Sequence, residues 1–306
     1  MTESREPAGC LETQKNGLVT AFGLTLRSEL ALPELLAGNG QADAEIAFGR
    51  VPREIPQAAE RTPWYEAAKG KFLHRVDGVA KYYAENGESI LIEPLIDVSD
   101  QRIRLFLLNS VFPRLLQQRG CLVLHGAVAV LKGRAVAILG HTASGKSSLA
   151  FTLYRRGYEI LSDEICALRY LDGKVFTLPE TPWLKVWKDS LSKVGLGTDA
   201  YKPVRQGLEK YAVPVHDRFI NETVELAGIV LLENHNRDGL DFEPILGANR
   251  LAKLAVHAPF PDMEKSRVQG FQRLTTAAKS RIMKLSFNER LYPLEKMADH
   301  LEKEWI

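Results

Sequence analysis

The chain has 306 residues, enough for one large or two modest domains, because single cores rarely grow past about 250–300 residues. Hydrophobic residues make up 45% and charged residues 25%, close to globular averages, which argues against a disordered or a membrane class. The net charge of +2 comes from 40 basic and 38 acidic residues that are interspersed, so no general attraction for nucleic acid is expected.

The opening MTESREPAGC lacks the basic-then-apolar run of a secretory signal. The nearly apolar stretch around Ile103–Phe112 is too short to span a bilayer. A cytoplasmic protein without a membrane partner is therefore expected. Cys10, Cys121 and Cys166 are odd in number and lack CxxC spacing, which suggests neither a disulfide framework nor a zinc site.

From Gly17 to about Pro94 the signals are strands and turns. Gly17–Arg27 and Asp43–Phe48 carry β-favouring residues. Lys71–Arg75, Val79–Ala84 and Ser89–Ile92 are divided by the turn pairs Asp77-Gly78 and Asn86-Gly87. Residues Glu54–Glu66, rich in Pro, Glu and Ala, read as a loop. Ser99 and Asp100 open a helical pattern that ends at Gly120 and should kink at Pro113. Beyond it, Cys121–Leu124, Ala127–Leu131 and Ala135–Leu139 are apolar strand candidates. A helix is expected from Lys146 to about Arg155, then strands near Tyr158–Leu161, Ile165–Tyr170 and Lys174–Leu178. Gly228–Leu232 and Arg281–Ser286 read as strands, Asn249–His257 and Arg267–Ser280 as helices, and a last helix begins near Leu294. The expected organisation is a β-rich (α+β) module over 1–98, a connecting helix over 99–120 and an α/β domain over 121–306.

The chemistry is carried by Gly140-His141-Thr142-Ala143-Ser144-Gly145-Lys146-Ser147, which satisfies GxxxxGK[ST]. An apolar strand precedes it and an amphipathic helix follows, as a phosphate-binding loop requires. The glycines let successive backbone N–H groups turn toward phosphate oxygens, and the helix N-terminus adds its positive dipole end. Lys146 is the cation for the β- and γ-phosphates, and Ser147 is placed to ligate Mg²⁺. Residues Gly140 to Ser148 are thus the expected seat of ATP, with His141 filling a variable position.

A phosphate loop alone does not separate kinases from other nucleotide hydrolases. The flanks add Leu124-His125-Gly126-Ala127 before it and Arg156-Gly157-Tyr158-Glu159-Ile160-Leu161-Ser162-Asp163-Glu164 after it. His125 stands 21 positions before Lys146, and Asp163 stands 17 after it. Together these segments resemble the catalytic domain of the HPr kinase/phosphorylase family, over about Leu122 to Leu168 and more loosely at the helical C-terminal end. Within that family the whole chain resembles the serine kinases found beside peptide-modifying gene sets, including those of lasso peptides. Phosphoenolpyruvate carboxykinase shares the loop architecture more distantly.

The resemblance implies a P-loop kinase domain that moves the γ-phosphoryl group of Mg-ATP to a Ser or Thr hydroxyl of a peptide or protein. By the same resemblance Asp163 accepts the hydroxyl's proton, Glu164 stands where the family has a second Asp that helps hold the metal, and His125 lies beside the γ-phosphate. The position of Asp163 at the carboxyl end of a strand next to the loop strand agrees with its role. Taken alone, an Asp-Glu pair after a strand is a turn or a helix cap, and His125 before Gly126 is a half-buried residue at a strand bend.

Ile229-Val230-Leu231-Leu232-Glu233 is a rival, an apolar strand ending in an acid, which makes Glu233 an alternative metal-side carboxylate. Arg205, Lys210 and Arg218 lie in a basic, loop-like stretch and are either phosphate-neutralising or plain surface charge. Trp183 and Trp187, beside Lys185 and Lys188, read as one helix face turned to substrate or to the core. Two departures from the family pattern stand out: Glu164 in place of Asp, and no recognisable Gly-rich signature between Val194 and Arg218. That signature grips HPr and serves the reverse reaction, so HPr as acceptor, phosphorylase activity and a hexamer are not implied, although a homo-oligomer is compatible. The competing readings are a nucleotide-dependent regulatory module and a small-metabolite kinase.

Overall fold

In a computed structural model, the structure describes residues 17–205, 207–258, 266–288 and 293–306. Cys10 and the opening segment lie outside the described residues. The chain divides into two compact units, with the main boundary between Gly120 and Cys121; Ser266 and Arg267, which open a helix otherwise of the second unit, group with the first. The architecture is mixed α/β.

The first unit is built on a nine-stranded sheet. Its strands are β1 (Leu18–Ala21), β2 (Leu24–Ser28), β3 (Leu36–Ala37), β4 (Ala44–Phe48), β5 (Glu60–Arg61), β6 (Tyr65–Ala68), β7 (Lys71–Val76), β8 (Ala80–Glu85) and β9 (Ser89–Pro94), in the order β3-β1-β2-β4-β9-β8-β7-β6-β5. Residues Glu54–Glu66, read from composition as a loop, contain β5 and the start of β6. Glu66 explains the difference: it is buried, ion-pairs with Arg75 at 2.6 Å and Arg61 at 3.4 Å, and accepts the Ile55 N–H at 2.7 Å. That pairing fixes a segment whose local composition favours coil. Helices α1 (Asp100–Phe106) and α2 (Phe112–Gln118) flank a π-helical turn over Leu107–Val111 and pack within this unit. The wide turn lies just ahead of Pro113, whose ring nitrogen has no proton to donate back along the helix.

The second unit holds β10 (Leu122–Leu131), β11 (Arg134–Gly140), α3 (Lys146–Arg155), β12 (Glu159–Ser162), β13 (Ile165–Leu171), β14 (Lys174–Thr177), β15 (Trp183–Trp187), α4 (Lys188–Ser192), β16 (Lys202–Pro203), β17 (Lys210–Pro214), β18 (Val224–Asn234), β19 (Leu240–Pro244), α5 (Asn249–Val256), α6 (Ser266–Ala277), β20 (Arg281–Phe287) and α7 (Leu294–Trp305). Hydrogen bonding runs β11-β10-β13-β14-β18-β20-β19, with β12 on β10 and β11 also paired to β18. β11, β18 and β20 run parallel, which brings the ends of β11 and β18 to one edge.

Both faces of these strands are buried, so they read as continuous apolar runs rather than alternating ones. Ala127, Val136, Ile138 and Val230 pack with Leu149 and Leu153 of α3 and Met297 and Leu301 of α7. Val128, Ala137, Leu139 and Ile229 pack with Leu254 of α5 and Ala277 of α6 on the other side. Each fully buried Leu of α3 contributes about 1.5–3 kcal/mol, which anchors the helix carrying Lys146.

Three sequence readings change here. The strand that ends just before Asp163, β12, pairs with β10 and not with the loop strand β11, whose neighbours are β10 and β18. Trp183 to Trp187 is a strand, not a helix, and Lys210 begins strand β17 instead of lying in a loop; β15, β17 and β16 form a separate three-stranded sheet. Leu184 and Val186 of β15 are buried with α3, while Trp183, Lys185 and Trp187 share the opposite face. Among the described residues no helix is long and apolar enough to cross a membrane.

Candidate active site

The loop after β11 turns sharply before it enters α3. Ala143 and Gly145 both sit in left-handed backbone, at φ 64° and 93°, which turns the chain so that α3 can start at Lys146. A side chain at Gly140 would place its Cβ 2.3 Å from Ser144 Oγ and 3.0 Å from the Leu232 carbonyl oxygen. The loop therefore closes tightly on itself. Ser144 Oγ is buried with no hydrogen-bond partner, and His141, Thr142 and Ala143 are exposed. An orphaned hydroxyl inside such a cradle fits a bound phosphate.

Lys146 is buried, and its ammonium donates to the carbonyl oxygens of Gly140 and His141, each at 2.9 Å. Burial lowers its pKa to about 8, helped by the Lys210 charge and opposed by Asp163 and Glu164. Ser148 is held to Ser190 through its hydroxyl at 2.7 Å. The Ser147 hydroxyl lies close enough to Asp163 to favour its ionised form.

Asp163 and Glu164 form the turn between β12 and β13, and three backbone donors fix it. Glu180 Oε2 accepts the N–H groups of Asp163, Glu164 and Ile165 at 2.9, 3.1 and 3.2 Å. Asp163 is only 2% exposed. Its Oδ2 accepts the Lys185 N–H at 2.6 Å, whereas Oδ1 has no hydrogen-bond partner. Burial raises the Asp163 pKa, Glu164 adds to the rise, and Lys210 opposes it. Glu164 behaves oppositely. Burial resists its ionisation, yet Lys185 at 2.6 Å and Lys210 at 3.0 Å hold its pKa down at about 2.

His125 sits on β10 with its backbone N–H on the His257 carbonyl at 2.9 Å and Nδ1 3.1 Å from the Glu164 carbonyl oxygen. A contact to a carbonyl requires the proton on Nδ1, which leaves Nε2 the acceptor of a neutral ring. Burial and the Lys146 charge keep the ring neutral by lowering its pKa. Gly126 next to it is sterically required: a Cβ there would fall 2.3 Å from Leu139 Cδ2 and 2.6 Å from the Ile138 carbonyl oxygen.

The structure thus brings His125, Lys146, Ser147, Asp163 and Glu164 to one end of the sheet. Glu233 is engaged by Lys253 in an ion pair. Arg218 lies over the Tyr154 ring, 5.4 Å from its centroid, and Arg205 is exposed. Three groups of the site escaped sequence reading. Glu180 and His257 carried no motif, and Lys185 was noticed only as a neighbour of the tryptophans. For Glu180 the one usable signal was an acid placed just before the strand whose Lys reaches Glu164.

No protein-family model matches the chain, and no curated protein does. Among solved structures the chain is similar to an HPr(Ser) kinase/phosphatase from Coxiella burnetii, at 14% identity, over 59% of this chain and 86% of that one, with a TM-score of 0.32. A likeness of that size carries no argument about the site, and the functional reading rests on the geometry.

Proposed function

We propose that the chain is an ATP-dependent kinase that phosphorylates a Ser or Thr hydroxyl of a peptide or protein, in the cytoplasm where ATP is at hand. The observation that carries the reading is Asp163 Oδ1, a buried carboxylate oxygen without a partner, in a cluster with Lys146 and Ser147 at the end of a complete phosphate loop. Such an oxygen is a ready acceptor for an incoming O–H.

Residues Gly140 to Ser148 would hold the phosphates, and Ser147 and Glu164 would hold Mg²⁺. When bound, Mg-ATP supplies the transferable γ-phosphoryl group and its leaving diphosphate. Asp163 orients the acceptor hydroxyl and takes its proton as the hydroxyl oxygen bonds to phosphorus and the bridging oxygen departs on ADP. A pKa raised by burial makes Asp163 a stronger base than a solvated carboxylate, while Lys185 and Ser147 keep it ionisable. Lys146 neutralises charge on the phosphates, and neutral His125 stands beside the reacting groups.

An extended acceptor is supported by β15. It is an edge strand of its small sheet. The Val215 N–H bonds the Pro182 carbonyl and the Lys188 N–H bonds the Glu209 carbonyl, so by the two-residue period Trp183, Lys185 and Trp187 point their N–H groups away from β17. The Lys185 N–H does so onto Asp163. That donor is already taken by the catalytic carboxylate, so a peptide joining this edge by strand addition would do so beside it, at Trp183 or Trp187. The first unit favours such addition less, because both edges of its sheet, β3 and β5, are two residues long.

The test is incubation with labelled ATP, Ser- and Thr-containing peptides, HPr, free serine or no acceptor, followed by phosphate mapping. Labelling of a peptide hydroxyl and not of HPr is expected. Labelling of free serine alone replaces the reading with a metabolite kinase, and nucleotide binding without any transfer replaces it with a regulatory module.

A further inference from the structure

We propose that Lys210 is the cation that neutralises the transferring phosphoryl group, leaving its ion pair with Glu164 to do so; the inference rests on the kinase reading above. Three ammonium groups surround the Asp163–Glu164 turn: Lys146 from the loop, and Lys185 and Lys210 from the small sheet. Lys185 is held at two points, by its N–H on Asp163 Oδ2 and its ammonium on Glu164 Oε2, each at 2.6 Å. That makes it part of the frame. Lys210 meets Glu164 Oε1 at 3.0 Å, and its ammonium lies 6.0 Å from the centroid of the partly exposed Trp187 ring.

Glu164, which holds Lys210, directly follows Asp163, and its carbonyl oxygen faces His125 Nδ1 and accepts the Gly126 N–H, so Lys210 stands beside the residues that the site gathers. The carboxylates of Asp163 and Glu164 already stand among these ammonium groups, so Lys210 turns to a triphosphate seated on the loop only when another cation takes its place on Glu164. Loose phosphoryl transfer needs a cation on the moving group beyond the loop lysine, a task that arginine performs in many P-loop proteins. The two arginines singled out in this region are placed elsewhere, Arg218 over Tyr154 and Arg205 at the surface. Lys210 is the group already present. If Glu164 gives Oε1 to the metal, it retains Lys185 on Oε2 and frees Lys210 in the same exchange.

Calorimetric titration with Mg-ADP and with the Mg complex of a β,γ-imido ATP analogue isolates this contact, since only the second ligand carries a γ-phosphoryl group. The Lys210→Met variant keeps the side-chain stem and should lose roughly 10–100-fold more affinity for the triphosphate than for ADP, the size of one charge-assisted contact. Lys210→Arg should recover most of the loss. Retained ADP binding also certifies the fold of each variant. Because Lys210 leaves the Trp187 ring, the triphosphate should change tryptophan emission in the parent protein, but not in Lys210→Met or Trp187→Phe. If the parent binds both nucleotides and Lys210→Met keeps the parent's triphosphate-to-diphosphate ratio, Lys210 does not touch the γ-phosphoryl group. If the parent binds neither nucleotide, the kinase reading fails and this inference with it.

Discussion

At the scale of single residues, the state of Lys146 sets a pH dependence whose sign can be worked out. Burial lowers it to about 8 while its ammonium rests on the loop carbonyls. A bound triphosphate brings negative charge to the ammonium and raises its pKa toward the ordinary lysine value near 10.4. The liganded protein then holds more protons than the free protein between those two values, and phosphate itself is already ionised there, its second pKa lying near 6. ATP affinity should therefore fall as pH rises above 8, approaching tenfold per pH unit, and binding at pH 8 should take up protons. Calorimetry in two buffers of different ionisation heat checks both; constant affinity from pH 7 to 9.5, or proton release, contradicts the assignment. Asp163 gives a separate expectation. Asp163→Asn retains an oxygen for the Lys185 N–H but cannot accept a proton, so transfer should drop by about 10²–10⁴-fold with ATP binding preserved. Should Glu233→Gln abolish transfer while Asp163→Asn does not, the carboxylate has been chosen wrongly.

At the scale of elements, the pair β10–β11 couples stability to the site through Gly126. A methyl group at this position collides with the Ile138 carbonyl oxygen, which belongs to the backbone and cannot rotate away. Gly126→Ala should part the two strands and lower unfolding stability by about 1–3 kcal/mol in urea titration. Since the Gly126 N–H also bonds the Glu164 carbonyl at 3.1 Å, the acidic turn should move and transfer should weaken with it. An alanine variant as stable as the parent would show that the strands have room that the structure denies them. This position also shows how far sequence reading reached. The strand–loop–helix around Lys146 was legible because its determinants are contiguous: an apolar run, glycines, then a lysine at a helix start. The small sheet was not, because tryptophans four apart lie on one face of a helix and equally on one face of a strand. Its lysines were illegible for a different reason. The Lys210–Glu164 pair joins residues 46 positions apart, and such a contact exists only once the strand register is set. The same holds for Glu66, whose burial depends on Arg75 in the neighbouring strand.

At the scale of the whole molecule, the question is where nucleotide binding is felt. Every residue assigned to phosphate, metal or proton transfer belongs to the second unit, on β10, the loop before α3 and the first turn of α3, the turn before β13, and β15 and β17. A ligand that binds only the folded state stabilises it by about 2.7 kcal/mol at a hundredfold excess over Kd. Amide hydrogens slow by the amount their own opening is suppressed, so protection should concentrate where ligand contacts are made. Hydrogen exchange with Mg-ADP should slow the loop amides from Gly140 to Ser148 most, with a smaller effect at Asp163 to Ile165. The γ-phosphoryl analogue should add protection at β17, where Lys210 begins the strand, and along β15, whose Lys185 N–H is fixed on Asp163. Strands β1 to β9 should exchange at the same rate in all three samples, because no residue in them is assigned to the nucleotide. Slowing in β4, β8 or β9 equal to that of the loop would mean that the first unit takes part in binding and that the site is larger than the residues gathered around Lys146. Protection of the loop by ADP with none added at β17 by the triphosphate would leave the nucleotide seat in place and remove Lys210 from it.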